Sequence, residues 1–85
     1  MDTRTDTSTV GRRLKAARES RGLSATAAAK LADTDKGTWW RYEHDARLPS
    51  LDKLMAFARA TGYTLDWLAM RRSPVIYRRP GASVD

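Results

Sequence analysis

The chain contains no cysteine and a single histidine, His44. A disulfide framework and a thiolate metal site are therefore excluded, and one imidazole makes no transition-metal constellation. No metal and no cofactor is expected. Cysteine absence suits a reducing cytosol. No apolar run approaches the roughly 20 residues that a helix needs to span a bilayer. The opening MDTRTDTSTV has neither the basic nor the apolar region of a signal peptide. The expected location is the cytoplasm, away from any membrane. Nucleophile–base pairs, glycine-rich phosphate loops and supported carboxylate pairs are missing too. Asp33 and Asp35 lie close in sequence, but turn and capping roles account for both. No catalytic residue is assigned, and the protein is not expected to be an enzyme.

Acidic residues are also scarce, 10 against 16 basic ones, and the net charge is +6. Twelve of the basic residues are arginine. The summed field attracts polyanions, chiefly nucleic acid or an acidic protein. Eighty-five residues allow one small domain. A core of that size suffices if the elements are helical.

Residues 1–8 show no apolar periodicity and are expected to be a disordered tail, with Arg4 as a conceivable arm. A first helix is predicted over 9–21, capped by Thr9, with Val10, Leu14, Ala17 and Arg21 on one stripe. Arg12, Arg13 and Lys15 fall off that stripe, in solvent. Gly22 stands where a helix end wants a left-handed residue. Ser24 caps a second helix, whose alanines favour close helix approach and share its buried side with Leu31. Asp33 and Thr34 make a turn. Asp35 caps a third helix, Lys36 to Glu43. Trp39 and Tyr42, three apart, share its inner face. Lys36, Gly37, Trp40 and Arg41 then face outward. So small a helix has little use as packing alone, but it fits a groove about 12 Å wide, the DNA major groove.

Pro49 and Ser50 introduce a fourth helix with Leu51, Leu54, Met55, Phe57 and Ala58 on its apolar face, ended by Gly62. Thr64 caps a fifth, Leu65 to about Met70. Trp67 there is expected in the core or at a dimer contact. In the remainder, 71–85, Val75, Ile76 and Tyr77 have strand propensity between Pro74 and Pro80. They are flanked by Arg71, Arg72, Arg78 and Arg79. This segment could be a dimer strand, a loose basic extension, or a site for another protein.

Residues 10–24, AAKLADTDKGTWWRYEHD and 47–68 resemble the phage repressor and Cro-type helix-turn-helix, the Xre family. Arg18, Leu23-Ser24, Ala29, Tyr42-Glu43, Pro49-Ser50 and Gly62…Leu65-Asp66-Trp67-Leu68 agree in order and spacing. The resemblance implies an all-α, five-helix, lambda repressor-like domain over 9–70. It also implies a structural ion pair between Arg18 and Glu43. Three positions depart from the family pattern. Ala25 stands where glutamine is frequent, Asp33 replaces the turn glycine, and Trp40 occupies a usually polar site. These departures leave the fold intact and put a standard base-reading pattern in doubt.

Lys36 and Arg41 are the chief candidate base readers, because Arg pairs bidentately with guanine O6 and N7 and Lys reaches the same atoms. Gly37 allows close backbone approach. Trp40 has three uses open to it: contact with a thymine methyl, binding of a protein, or folding back over Ala25. Ser24, Ala25, Thr38 and Arg47 are candidate contacts to the DNA backbone. Thr38 could instead bond within its own helix. His44 is read as an exposed loop residue. The first expectation is a sequence-specific transcriptional regulator, a repressor bound as a homodimer to a palindromic operator through residues 36–43. An antitoxin that neutralises its toxin through the tail is a second. A protein-binding helix-turn-helix module is a third.

Overall fold

The computed structural model describes residues 6–70. Arg4 and everything expected of 71–85, the Val75–Tyr77 strand and its arginines included, lie outside the described residues. Five helices follow in order: α1 Val10–Ser20, α2 Ala25–Leu31, α3 Lys36–Glu43, α4 Leu51–Thr61 and α5 Leu65–Met70. Among the described residues there is no strand. The all-α, five-helix class is the one found.

Each helix starts where a short polar side chain satisfies an orphan amide of the first turn. Thr9 accepts from the Arg12 N–H at 3.1 Å, Ser24 from Ala27 at 3.0 Å and Asp35 from Thr38 at 2.7 Å. Ser50 accepts from Lys53 at 3.4 Å and Thr64 from Trp67 at 3.0 Å. Helices α1, α2 and α3 each end in the same two-bond closure, in which the residue after the cap turns left-handed. The Leu23 N–H returns to Arg18 O, Thr34 to Ala29 O and Ala46 to Arg41 O. The left-handed residues are Gly22 (φ 70°), Asp33 (φ 59°) and Asp45 (φ 58°). Aspartate adopts that conformation more readily than most side chains, so the missing turn glycine costs the fold little.

Trp39, Phe57, Leu14 and Leu68 are wholly buried at the centre. Ala17, Ala28, Ala29, Ala32, Tyr42 and Leu54 complete the core. Trp39 lies 4.9 Å from Phe57 and meets Tyr42 edge-on at 6.0 Å between centroids. The alanines of α2 let α3 pack closely, and α1 packs against both α3 and α5.

Four expectations about burial are corrected. Arg13 is buried, not solvated. Its guanidinium donates to Leu68 O (3.0 Å) and Ala69 O (3.1 Å) at the end of α5, and to Thr7 O (3.0 Å). Those helix-end carbonyls have no partner within the helix, and a fork of N–H groups carrying positive charge supplies one. Leu31 is on the surface. At 100° per residue it falls about 100° from the centre of the Ala28, Ala29 and Ala32 stripe. Met55 is exposed because it stands off the Leu54–Phe57 line in the same way. Leu51 is exposed because it begins α4, at the rim of the core. At the N-terminus, residues 6–8 sit against α1. Asp6 pairs with Arg12 at 2.8 Å and accepts from the Ser8 amide and hydroxyl.

Candidate nucleic-acid interface

Helix α3 is held by its inner face and its last turn. The Trp39 ring in the core sets its rotation. The Trp39 indole N–H donates to Glu43 Oε2 at 2.5 Å, and the Arg18 Nε donates to the same oxygen at 2.5 Å. Arg18 Nη2 reaches Oε1 at 3.2 Å, and Nη1 donates to Leu23 O at 3.0 Å. The expected ion pair is therefore present, bidentate and half-buried. Its hydrogen bond to Glu43 raises the Arg18 pKa above its already high ordinary value, against the desolvation of burial. One carboxylate thus joins α1, the core tryptophan and the end of α3.

A second carboxylate locks the same junction. Asp45 accepts from the Thr9 hydroxyl at 2.6 Å and the Gly11 N–H at 2.9 Å. Gly11 is where α1 touches the end of α3. A Cβ there would stand 2.6 Å from Asp45 Oδ1 and 2.7 Å from Glu43 O, and would run into Tyr42 O. Sequence reasoning missed Gly11 and Asp45. The available signal was a glycine inside a helical pattern, which often marks a close packing contact. Lys53 was missed too: its Nζ donates to Asp33 O at 2.6 Å and so ties α4 to the turn between α2 and α3.

With Trp39 and Tyr42 inside, Lys36, Gly37, Trp40 and Arg41 are all exposed on the outer side of α3. Trp40 is 55% exposed. Lys36 and Arg41 make no hydrogen bond or ion pair among the described residues. Next to them, the Asp35 carboxyl is held below the usual carboxylate range. The Thr38 N–H is the largest cause, followed by the Thr38 hydroxyl and the charge of Arg41. Thr38 gives its one hydroxyl proton to Asp35 at 3.2 Å, so a phosphate would have to take that proton from the cap. The Ser24 hydroxyl only accepts from Ala27, which leaves its proton to give away. Ala25 begins α2, and Arg47 is exposed beyond α3. His44 is not a plain loop residue. It caps the C-terminus of α3, and its imidazole stacks on Trp40 at 3.9 Å and 19°. Among the described residues no cluster of acidic, histidine or cysteine side chains could hold a metal, and no helix is long and apolar enough to cross a membrane.

The succession of a capped helix, a left-handed turn and a second capped helix with one free face decides the architecture. A family model described as helix-turn-helix domain matches residues 9–69. The chain belongs to the helix-turn-helix domain family. Among solved structures, this helix-turn-helix domain is similar to the P22 c2 repressor protein, determined in complex with synthetic operator 9T in the presence of Tl+. The TM-score is 0.72 at 21% identity, over 78% of this chain and all of that one. At that identity the likeness is one of fold, and it agrees with the repressor-like architecture expected from the sequence. Curated protein sequences give no significant match.

Proposed function

We propose that this helix-turn-helix domain is a sequence-specific DNA-binding transcriptional regulator, a repressor that binds a palindromic operator as a homodimer. The observation that carries the reading is the outer side of α3. Two cations with no hydrogen bond or ion pair among the described residues, a side-chain-free position and an exposed aromatic ring share one helix face. That face is rigid, because two carboxylates bind the end of α3 to α1. Rigid placement is what base-edge recognition needs, since a good bidentate contact discriminates only in one geometry.

In this reading Lys36 and Arg41 take guanine edges, Gly37 allows close approach, and Trp40 lies on apolar groove atoms. Ser24, Ala25, Thr38 and Arg47 hold the phosphate backbone. Two copies would place their α3 helices about 34 Å apart in successive major grooves. The P22 c2 repressor, whose fold this chain shares, was solved on operator DNA.

The test is selection from a random duplex pool, repeated at raised salt. Recovery of an inverted repeat supports the proposal. Motif-free binding that collapses with salt would leave only charge attraction. With the motif in hand, Arg41→Ala should relax preference at one base position, whereas Arg47→Ala should weaken all sequences about alike. Equal selectivity in both variants overturns the contact assignment. The exposure of Trp40 supports a second reading, a protein-binding module. Under that reading the selection returns no motif, and Trp40→Ala leaves charge-driven DNA attraction unchanged.

A further inference from the structure

An exposed tryptophan beside the reading face would ordinarily sample several rotamers, and ordering it on DNA would cost entropy. The Trp40 ring has a partner in the structure. Its indole lies nearly parallel to the His44 imidazole, with 3.9 Å between ring centroids and 19° between planes. The imidazole is itself anchored. Its Nδ1 is 2.9 Å from Trp40 O, and because a carbonyl only accepts, Nδ1 carries the proton. The His44 backbone N–H donates to the same carbonyl at 3.0 Å. The next residue, Asp45, is fixed by Thr9 and Gly11. From the body of α1 to the surface indole the links are hydrogen bonds to Asp45, the backbone from Asp45 to His44, and the ring stack.

The geometry points to His44 as a positioning residue that holds the Trp40 indole as a pre-set apolar plate against a thymine C5 methyl group. This inference rests on the DNA-reading role proposed above and adds a ligand atom and a second residue. Imidazole is flat, so it supports a ring without filling the groove. It sits at the end of α3, so the indole is backed from the C-terminal side while Trp40 as a residue stays 55% exposed. Thymine is the only base that offers a methyl group in the major groove. Removing one buried methyl contact corresponds to about a fourfold loss in affinity.

The experiment uses the full chain and the duplex recovered by selection, with each thymine replaced in turn by deoxyuridine, which lacks only the C5 methyl. Wild type should lose about fourfold at one thymine per half-site. Trp40→Ala and His44→Ala should both bring that thymine-to-deoxyuridine ratio to about one. His44→Phe, which keeps a flat ring but loses the Nδ1 anchor, should restore part of it. A merely structural effect of His44 would weaken both duplexes equally and leave the ratio in place. The inference is overturned if His44→Ala keeps the fourfold ratio, or if wild type discriminates at no thymine. It is also overturned if Trp40→Ala leaves the ratio intact. A selection that returns no motif at all removes the DNA reading itself, an outcome distinct from the other three.

Discussion

Replacing Gly11 by alanine tests how closely α1 meets the end of α3. The new Cβ would collide with Tyr42 O and stand 2.7 Å from Glu43 O, both backbone atoms that cannot rotate away. The helices must separate, and the Gly11 N–H then loses Asp45. Overpacking costs about 1–3 kcal/mol. A hydrogen bond to a charged group contributes about 1.5–3 kcal/mol. Alanine's better helix propensity returns about 1 kcal/mol. The net loss is roughly 2–5 kcal/mol, against a total stability of about 5–15 kcal/mol. The midpoint of thermal unfolding, followed by far-UV circular dichroism, should fall by about 10 °C or more. Two other glycines calibrate the result. Gly22→Ala meets no atom within 4 Å but keeps a φ of +70°, so only backbone strain of about 1–2 kcal/mol applies. Gly37→Ala meets only Asp35 Oδ1 at 3.5 Å and should be neutral or slightly stabilising. Asp45→Gly keeps the left-handed backbone and removes the carboxylate, so Gly11→Ala and Asp45→Gly should combine less than additively. A Gly11→Ala loss no greater than that of Gly22→Ala, or strict additivity with Asp45→Gly, would refute the reasoning.

Two further predictions concern carboxylates. Glu43→Ala strips the acceptor from both Arg18 and the Trp39 indole, leaving the half-buried cation only Leu23 O and a 3.9 Å pairing with Glu19, and should cost about 3 kcal/mol in a denaturant titration. Arg18→Met in the same chain should recover part of that loss, and an unchanged midpoint for Glu43→Ala would remove the pair from the account. Asp35 has its folded pKa lowered, chiefly by the Thr38 N–H, so its contribution is present above about pH 4 and is lost as pH falls through the folded value. Asp6, lowered by its hydrogen bonds to Ser8, acts in the same window. Asp35→Asn and Asp6→Asn should each flatten the stability curve below about pH 4, and a steepening in either would contradict the assignment.

The helix starts were legible because capping is local: Thr9, Ser24, Asp35, Ser50 and Thr64 each needed only their own first turn. The two faces of α3 were legible for the same reason, since Trp39 and Tyr42 can share a side only in one rotation. What escaped was set between elements. Arg13 is buried because α5 ends beside it, and nothing near position 13 in the sequence reports that. Leu31 and Met55 have the right chemistry for a core but stand on helix flanks that no neighbour among the described residues covers. The role of His44 depends on Asp45 being tied to α1 across more than thirty residues of sequence, so it read as loop.

The grip of Arg13 has an architectural consequence. One guanidinium holds the carbonyl of Thr7 and those of Leu68 and Ala69, so the two ends of the described unit, 6–70, lie side by side. A unit whose entrance and exit coincide behaves as a cassette. Spliced into a surface turn of an unrelated host, it would neither stretch the host backbone nor need a long spacer. Joining its two ends by a short bridge would leave every helix free to be the new first one.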